Sequence, residues 1–261
     1  MSLQVLVSTM HQIDDTIVNR MNINSNAIII NQCNKTERKS INLNSFEIQF
    51  MSFPERGVGL SRNNALMRAT SEFCLIADDD LILNKNYKNI VENCFKENPS
   101  ADVLIFNLYE DVRTRYVNQK KFKVNYLNFM KYGATRIAFR RKSITKNGIT
   151  FNLNFGGGTQ YSAGEDTLFL NDCLQKGLNI YAVPNFIGTL TNDRESTWFE
   201  GYNDKFFLDR GVLFAALSKK SYFFLCLQFC IRHGNKYKAD KSRKEILKLM
   251  LKGAKQYKEL K

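Results

Sequence analysis

The chain has 261 residues, 44% of them hydrophobic, which is enough for one large domain with a packed core. It contains three prolines and no low-complexity stretch, so its composition excludes a disordered protein as a class. The net charge of +13 leaves two kinds of anionic partner open, a membrane surface and nucleic acid.

Short apolar runs alternate with helical patterns along the first 110 residues. The predicted strands are "LQVLVSTM" (3–10), "NAIIINQCN" (26–34), "FEIQFMSF" (46–53), "EFCLIADDD" (72–80) and "ADVLIFNLYE" (101–110). The predicted helices are "GVGLSRNNALMRAT" (57–70) and "NYKNIVENCFKENP" (86–99). This alternation predicts a doubly wound, mostly parallel α/β sheet, which binds ligands beyond the carboxyl ends of its strands.

The pattern is looser in the second half of the chain. "ATRIAFRRKSI" (134–144) and "NIYAVPNFIGTL" (179–190) are typical of strands, and a glycine-rich loop leads into a helix at "GEDTLFLNDCLQKG" (164–177). Helical signals dominate from residue 206 onward. We therefore expect two parts, a nucleotide-binding α/β domain over residues 1–200 and a basic, aromatic-rich helical region over residues 201–261.

The cysteines and the N-terminus bear on the cellular compartment. The six cysteines are Cys33, Cys74, Cys94, Cys173, Cys226 and Cys230. They form no CxxC pair and lie among apolar residues, so we interpret them as reduced core thiols of a cytoplasmic protein. "MSLQVLVSTM" lacks the basic and long apolar regions of a secretory signal, which favours the same location.

Three consecutive aspartates interrupt the apolar stretch "SEFCLIADDDLIL" (71–83). Asp78, Asp79 and Asp80 come where the fourth predicted strand ends, at the ligand-binding edge of the sheet. A hard divalent cation prefers such carboxylate oxygens and often takes its other ligands from substrate phosphates. A solvated acidic turn is the alternative that the pattern alone leaves open.

Two further segments carry charged groups at helix starts. Glu165 and Asp166 follow Gly164, where they serve either as ordinary partners of the helix dipole or as a general base. Arg62 follows a GxG at the start of its helix and is a candidate for a phosphate contact. No GxGxxG follows the first strand and no GxxxxGK[ST] occurs, which argues against a nicotinamide or flavin enzyme and a P-loop ATPase.

Together these segments resemble the family 2 inverting glycosyltransferases, which have the GT-A fold. The resemblance runs over about residues 3–200 and rests on "VLVSTM", "RGVGLSRNNALMRATSEFCLIADDD" and "GEDTLFLNDCLQKGLNIYAVP", in that order. It implies a metal-dependent transfer of a sugar, expected to be UDP-linked, to a hydroxyl of a saccharide or lipid-linked saccharide acceptor. It also implies a place in bacterial surface polysaccharide synthesis.

The resemblance implies a nucleotide site at the strand ends. Thr9, Asn31 and Gln32 would line the pocket of the base, and Arg62 would approach the diphosphate. Many family members carry an aspartate after the second strand, where this chain has the amides of "NQCN". An amide both donates and accepts hydrogen bonds, so it can still pair with a base edge.

The resemblance also assigns the chemistry. Asp78, Asp79 and Asp80 would form the DxD-type motif, with Asp80 as the first choice for the Mn²⁺ or Mg²⁺ ligand and Asp78 as the second. Asp166 would be the base that deprotonates the acceptor hydroxyl, with Glu165 beside it. The glycine-rich residues 155–159 would border the donor sugar and the acceptor.

The C-terminal region is basic and aromatic. Residues 236–261 contain ten Lys and Arg against three acids, and the apolar piece over residues 222–231 is too short to span a bilayer. We interpret the region as an interfacial anchor on an anionic membrane, at the cytoplasmic face, with an ordinary helical subdomain as the alternative. The final helix carries Ile246, Met250, Ala254 and Tyr257 on one stripe, and residues 198–202, which include Trp198, are candidates for the acceptor site.

Two other functions remain alternatives. A nucleotidyltransferase also uses aspartates and a metal, but it usually has a glycine-rich basic loop after the first strand, where this chain has "STMHQIDD". A basic nucleic-acid-binding protein would fit the tail but would leave the aspartates unexplained. We therefore expect no nucleic-acid partner.

Overall fold

The computed structural model describes residues 2–43, 45–110, 116–191 and 201–259. Within these ranges, ten strands form one sheet in the order β3-β4-β2-β1-β5-β9-β7-β10-β6, and β8 pairs with β10. The strands are β1 (Leu3–Met10), β2 (Asn26–Gln32), β3 (Glu37–Leu43), β4 (Phe46–Phe53), β5 (Phe73–Asp78), β6 (Leu81–Leu83), β7 (Val103–Glu110), β8 (Phe122–Lys123), β9 (Ile137–Arg140) and β10 (Ile180–Leu190).

Helices cover both faces of this sheet. They are α1 (Ile17–Arg20), α2 (Val58–Arg68), α3 (Tyr87–Glu97), α4 (Arg141–Lys146), α5 (Glu165–Gln175), α6 (Asp204–Leu217), α7 (Tyr222–His233) and α8 (Arg243–Glu259), with 3-10 turns at Phe129–Lys131 and Ala134–Arg136. One apolar core includes residues of α2, α5 and the three C-terminal helices, and a second includes residues of α1 and α3. The predicted α/β class with a C-terminal helical extension is confirmed.

Strand direction brings the candidate site together. Strands β4, β2, β1, β5, β7 and β10 run the same way, because β9 lies antiparallel between β5 and β7. On β1, Thr9 is in register with Asn31 of β2, and Ser8 is in register with Asp78 of β5. The carboxyl ends of these three strands therefore lie side by side, as a doubly wound sheet requires.

The structure differs from the sequence prediction at four strands: the short strands β6 and β8 are not predicted, and β3 and β9 differ as follows. β3 was not predicted, because its "ERKSINL" has little apolar character; it lies at the sheet edge, antiparallel to β4, with most of its residues exposed. The predicted strand over residues 134–144 is only four residues long, at Ile137–Arg140, and the chain then turns into α4. The polar sequence "RKSITK" of α4 suits an exposed short helix better than a buried strand.

All six cysteines are buried, as predicted for core side chains. Their thiols lie in apolar surroundings, and burial raises the pKa of Cys74 and Cys226 to about 12. A thiol with such a pKa stays protonated at neutral pH and is a poor nucleophile.

The stripe predicted on the final helix is part of the core. Ile246, Met250, Ala254 and Tyr257 of α8 are buried, and α8 packs mainly against α6. This helix therefore packs as the alternative of an ordinary helical subdomain predicts, and its stripe does not face a membrane. None of the helices within the described ranges is both long and apolar enough to cross a membrane. The division at residue 200 stays a prediction.

Candidate active site

A buried arginine holds two carboxylates at the carboxyl edge of the sheet. Arg62 of α2 is 3% exposed, and its Nη1 donates to Glu165 Oε1 at 2.7 Å. Its Nη2 donates to both carboxylate oxygens of Asp78, at 3.0 Å each. Bidentate contacts of this kind fix geometry as well as charge. Arg62 thus joins the end of β5 to the first turn of α5.

These contacts qualify the role predicted for Arg62. Its guanidinium is committed to Asp78 and Glu165, and only its Nε, which is buried, has no hydrogen-bond partner among the described residues. Burial alone would lower the pKa of Arg62, but the two carboxylates outweigh it and raise the pKa above the usual value. Its contact with a diphosphate stays a prediction, and the contacts present here position two carboxylates.

The three aspartates separate as β5 ends. Asp78 accepts from Arg62, whereas Asp79 Oδ2 accepts from Thr9 Oγ1 at 2.7 Å and from Gln12 Nε2 at 3.3 Å. Asp80 is exposed, and its backbone carbonyl accepts from the N–H of Thr191 at 2.8 Å. Each aspartate therefore has a different environment, although the sequence alone treats them as one motif.

The polar groups at the end of β2 organise the loop after β1. Asn31 is completely buried; its Oδ1 accepts from the N–H of Gln12, and its Nδ2 donates to the carbonyl of Gln12, at 3.0 Å each. Its Nδ2 also donates to Ser52 Oγ at 3.1 Å. Gln32 is buried as well, but its Oε1 accepts no hydrogen bond from any described residue. Asn31 thus positions Gln12, and Gln32 keeps an unused acceptor.

An open cleft of about 380 Å³ lies beside these strand ends. Its lining residues are His11, Gln12, Ile13, Cys33, Asn34 and Lys35. They belong to the loops that follow β1 and β2, the two strands whose ends carry Thr9, Asn31 and Gln32. The loops after these strands therefore border a concave surface, whereas Thr9, Asn31 and Gln32 themselves are buried and do not line it. Their contact with a nucleotide base stays a prediction.

The start of α5 is held by α6. Gly164 has φ +121°, and a side chain there would overlap Leu213 of α6. One turn earlier on α6, Asp209 accepts from both the N–H and the Oγ of Ser162 at 3.0 Å. Only glycine tolerates this backbone conformation in so tight a space. The loop ahead of Glu165 is therefore fixed on the C-terminal helices.

Asp166 has the electrostatics of a general base. Its Oδ1 accepts from the N–H of Thr167 at 2.6 Å, and the residue is half-buried. Burial, with the negative charge of the neighbouring Glu165, raises the pKa of Asp166 to about 7. A carboxylate with a pKa near the working pH removes a proton more effectively than an ordinary aspartate. Burial also raises the pKa of Asp78, although Arg62 opposes it.

The residues present fit a divalent cation in donor type. The described part of the chain contains no cluster of three or more His, Cys, Asp or Glu that could hold a metal by itself. Mg²⁺ is typically bound through one or two carboxylates plus substrate phosphates, however, so a single well-placed aspartate is sufficient. Asp80 is exposed at the strand end, and Asp78, whose two carboxylate oxygens accept from Arg62, is part-buried.

Two site residues were missed by sequence reasoning. Gln12 binds Thr9 and Asp79 from a loop whose pattern is merely polar. Arg210 of α6 lies over the rings of Phe206 and Phe229, at 5.5 and 5.7 Å from their centroids. Burial lowers the pKa of Arg210, and the negative charge of Asp166 is among the influences that oppose the shift. Arg210 lies on α6, after all the motifs that the sequence analysis uses, so no motif identifies it as part of the site.

The predicted site residues fall into groups that share contacts. Arg62 connects Asp78 to Glu165, with Asp166 next in the chain, and Thr9 connects to Asp79. Gln12 links Asn31 to the pair of Thr9 and Asp79. Asp80 belongs to this group only because it follows Asp79 in the chain. Trp198, predicted for the acceptor site, lies outside the described residues.

Comparisons with known proteins identify the family and the fold of the chain. The sequence model for glycosyl transferase family 2 matches residues 8–159, which include Thr9, Arg62 and the three aspartates. No curated protein matches the chain in sequence. Similar solved structures include S. aureus TarS residues 1–349 with UDP-GlcNAc, at TM-score 0.65 and 17% identity over 94% of this chain and 77% of that one.

Two other structures of TarS give the same result. TarS residues 1–349 with UDP has TM-score 0.61 and 14% identity, over 98% of this chain and 83% of that one. A longer TarS has TM-score 0.58 and 18% identity, over 89% of this chain and 43% of that one. At these identities the similarity shows a shared fold. The family match covers more than half of the residues, so the chain belongs to glycosyl transferase family 2 and is a glycosyltransferase.

Proposed function

We propose that the protein is a metal-dependent inverting glycosyltransferase that moves a sugar from a UDP-linked donor to an acceptor hydroxyl. The observation that carries this proposal is the bridge made by Arg62. It ties Asp78, in the aspartate motif, to Glu165, beside the candidate base. A donor diphosphate at the strand ends and an acceptor at the start of α5 would then be held in one rigid frame, as a direct displacement needs.

The step we propose is a single displacement. Asp166 accepts the proton of the acceptor hydroxyl while the hydroxyl oxygen bonds to the anomeric carbon of the donor. The bond from that carbon to the diphosphate oxygen breaks, and its electron pair leaves with the nucleoside diphosphate. Because attack comes from the face opposite the leaving group, the configuration inverts. The raised pKa of Asp166, about 7, supports its assignment as the base.

Asp80 is the residue we assign to the divalent cation, Mn²⁺ or Mg²⁺, with Asp78 as the second choice. When bound, the cation would offset negative charge on the leaving diphosphate. Asp79 would keep Thr9 and Gln12 in place at the floor of the nucleotide site. Glu165 would act as a positioning residue, since its carboxylate is paired with Arg62.

A uridine nucleotide is the donor we propose on two grounds. The similar TarS structures contain UDP or UDP-GlcNAc. The loops after β1 and β2 border an open cleft, and Gln32 precedes the lining residue Cys33 in the chain. The buried side-chain carbonyl oxygen of Gln32 has no hydrogen-bond partner among the described residues. That oxygen could accept from a donor group of a base, which would remove the cost of leaving it unpaired.

The acceptor we propose is a saccharide or lipid-linked saccharide in surface polysaccharide synthesis, with the enzyme at the cytoplasmic face of the membrane. This part rests on the family resemblance and on the basic C-terminal region. The alternatives of a nucleotidyltransferase and a nucleic-acid-binding protein are no longer favoured, because the chain belongs to a glycosyltransferase family.

Calorimetric titration with UDP, GDP, CDP, dTDP and ADP, each with and without Mn²⁺, tests the donor and the cation. We expect UDP to bind best, and Mn²⁺ to strengthen its binding by about tenfold or more, because a cation held by Asp80 would offset the charge of the diphosphate. Asp80→Ala should lose the gain from Mn²⁺ and keep the weaker metal-free binding. Glu97→Ala, which removes one exposed acid from α3, is the matched control.

Transfer is measured separately as release of UDP from UDP-sugar. Asp166→Asn should bind UDP and Mn²⁺ like the parent protein and release UDP much more slowly. If no nucleoside diphosphate binds at millimolar concentration, the proposal is wrong in its donor class. If Asp80→Ala and Glu97→Ala respond to Mn²⁺ alike, the assignment of Asp80 to the cation is wrong.

A further inference from the structure

Helix α7 exposes a continuous apolar face. Phe223, Phe224, Leu227 and Ile231 are 44%, 69%, 36% and 62% exposed, and we call these four residues the α7 stripe. The opposite face of the helix packs into the core through Cys226 and Cys230, which are buried. Helix α7 is thus held in place by one face while the other carries large apolar side chains outward.

The stripe follows from helical geometry. Phe223, Leu227 and Ile231 are spaced by four residues, so they lie in one row, and Phe224 lies beside the same row. Isolated exposed apolar residues are common, and Met67 of α2 is one example at 70% exposure. A row of four along three turns is different, because contiguous exposed apolar patches mark contact surfaces.

The charges that precede and follow α7 along the chain have one sign. Residues 210–239 contain no Asp or Glu, and their cations are Arg210, Lys219, Lys220, Arg232, Lys236 and Lys238. Lys219 and Lys220 precede α7 and Arg232 is in its last turn, and all three are exposed. An amphipathic helix with apolar residues on one face and lysine or arginine at its flanks is typical of binding in the plane of an anionic membrane surface.

A second copy of the chain is a poorer occupant for the same face. Two copies joined through the α7 stripe would bring two acid-free, cationic segments against each other, and like charges in contact oppose association. Anionic lipid headgroups would instead neutralise Lys219, Lys220 and Arg232 while the acyl region takes up the aromatic rings. Charge therefore favours a lipid surface.

We infer that the α7 stripe is the surface by which this protein lies on an anionic lipid bilayer, with Phe224 and Ile231 inserted and Lys219, Lys220 and Arg232 at the headgroups. The inference deepens the proposed function and rests on it only for the lipid-linked acceptor. Helix α7 packs on α6, whose Asp209 and Leu213 hold the loop ahead of Asp166. The bilayer would thus lie one helix away from the candidate base.

Sedimentation with vesicles tests this surface. The full chain is mixed with vesicles of phosphatidylglycerol and phosphatidylcholine in equal parts, or of phosphatidylcholine alone. We expect binding to the anionic vesicles that weakens with salt, and a drop of about tenfold or more in Phe224→Ser/Ile231→Ser. The matched control is Met67→Ser/Leu153→Ser, two exposed apolar residues outside the stripe, which should bind like the parent chain.

Two further measurements decide between the occupants. Lys219→Ala/Lys220→Ala should weaken binding and reduce its dependence on salt. The inference is overturned if the parent chain does not bind anionic vesicles, if the stripe variant and the control bind equally, or if light scattering shows a dimer that the stripe variant converts to a monomer. UDP titration of the same preparations is independent: stripe-dependent vesicle binding without UDP binding would retain the inference and reject the proposed donor.

Discussion

Arg62 and Glu165 are 103 positions apart in the chain, and 2.7 Å separates the guanidinium of one from the carboxylate of the other. The same guanidinium binds both oxygens of Asp78. Since Arg62 is almost completely buried, water cannot take its place as the partner of either carboxylate without a large cost in free energy. The position of the candidate base at the start of α5 therefore depends on a residue of α2.

Removing this arginine should destabilise the fold. Arg62→Ala leaves Asp78 and Glu165 as poorly compensated carboxylates, which we expect to lower the free energy of unfolding by about 3–5 kcal/mol. Arg62→Lys keeps the charge but loses the forked geometry, so its loss should be smaller. Urea unfolding measures both, with Arg68→Ala on the exposed side of the same helix as the control. Equal effects at positions 62 and 68 would contradict the role of the bridge.

Sugar transfer should depend on pH through Asp166. Its pKa is raised to about 7, and only the deprotonated form accepts a proton. We expect kcat/KM to rise about tenfold per pH unit up to about pH 7 and to level off above it. Asp166→Asn should lower kcat about 10²–10⁴-fold, as is usual for loss of a general base.

Asp172→Asn is the control for this profile. Asp172 lies on the same helix, and burial raises its pKa too. Asp166 is not the titrating group if two results are found together. The rise of kcat/KM with pH would shift to another pH in Asp172→Asn, and it would keep its position in the residual activity of Asp166→Asn.

The same shift makes a prediction about stability. The pKa of Asp166 is about 3.9 in the unfolded chain and about 7 in the folded chain. In the pH window between these two values, the folded state binds the proton of Asp166 more tightly than the unfolded state does. This group therefore contributes a loss of stability as pH rises through that window. Asp166→Asn should be more stable than the parent chain at pH 8, by about 1–3 kcal/mol, and should gain little at pH 4. Thermal unfolding at the two pH values measures the difference, and an equal gain at both would contradict it.

The sequence predicts the location of the site better than its internal contacts. An apolar run that ends in three aspartates indicates a strand end in any sheet of this class, which is why Asp78, Asp79 and Asp80 were assigned to one edge. The partner of each depends on tertiary structure: Asp78 meets Arg62 and Asp79 meets Thr9. No spacing rule connects residues from separate elements.

The C-terminal helices show the same limit. Both α7 and α8 carry apolar rows with basic neighbours, so periodicity alone predicts a similar role for both. Packing distinguishes them, because α8 turns its row toward α6 and α7 leaves its row exposed. The burial of the α8 row depends on glycines that allow α6 and α8 to approach closely. The sequence does not show which element packs against a glycine inside a helix.

These glycines supply the last prediction. A Cβ on Gly211 of α6 would overlap the backbone carbonyl of Met250, and one on Gly253 of α8 would overlap that of Leu208. Backbone atoms cannot yield as a flexible side chain can, so Gly253→Ala should force the two helices apart, at a cost of about 2–3 kcal/mol despite the better helix propensity of alanine. Urea unfolding should show this loss, whereas Lys252→Ala at the adjacent exposed position should change stability little. Because α6 also holds the loop ahead of Asp166, Gly253→Ala should reduce sugar transfer more than UDP binding. Parent-like stability in Gly253→Ala would contradict the close approach of α6 and α8.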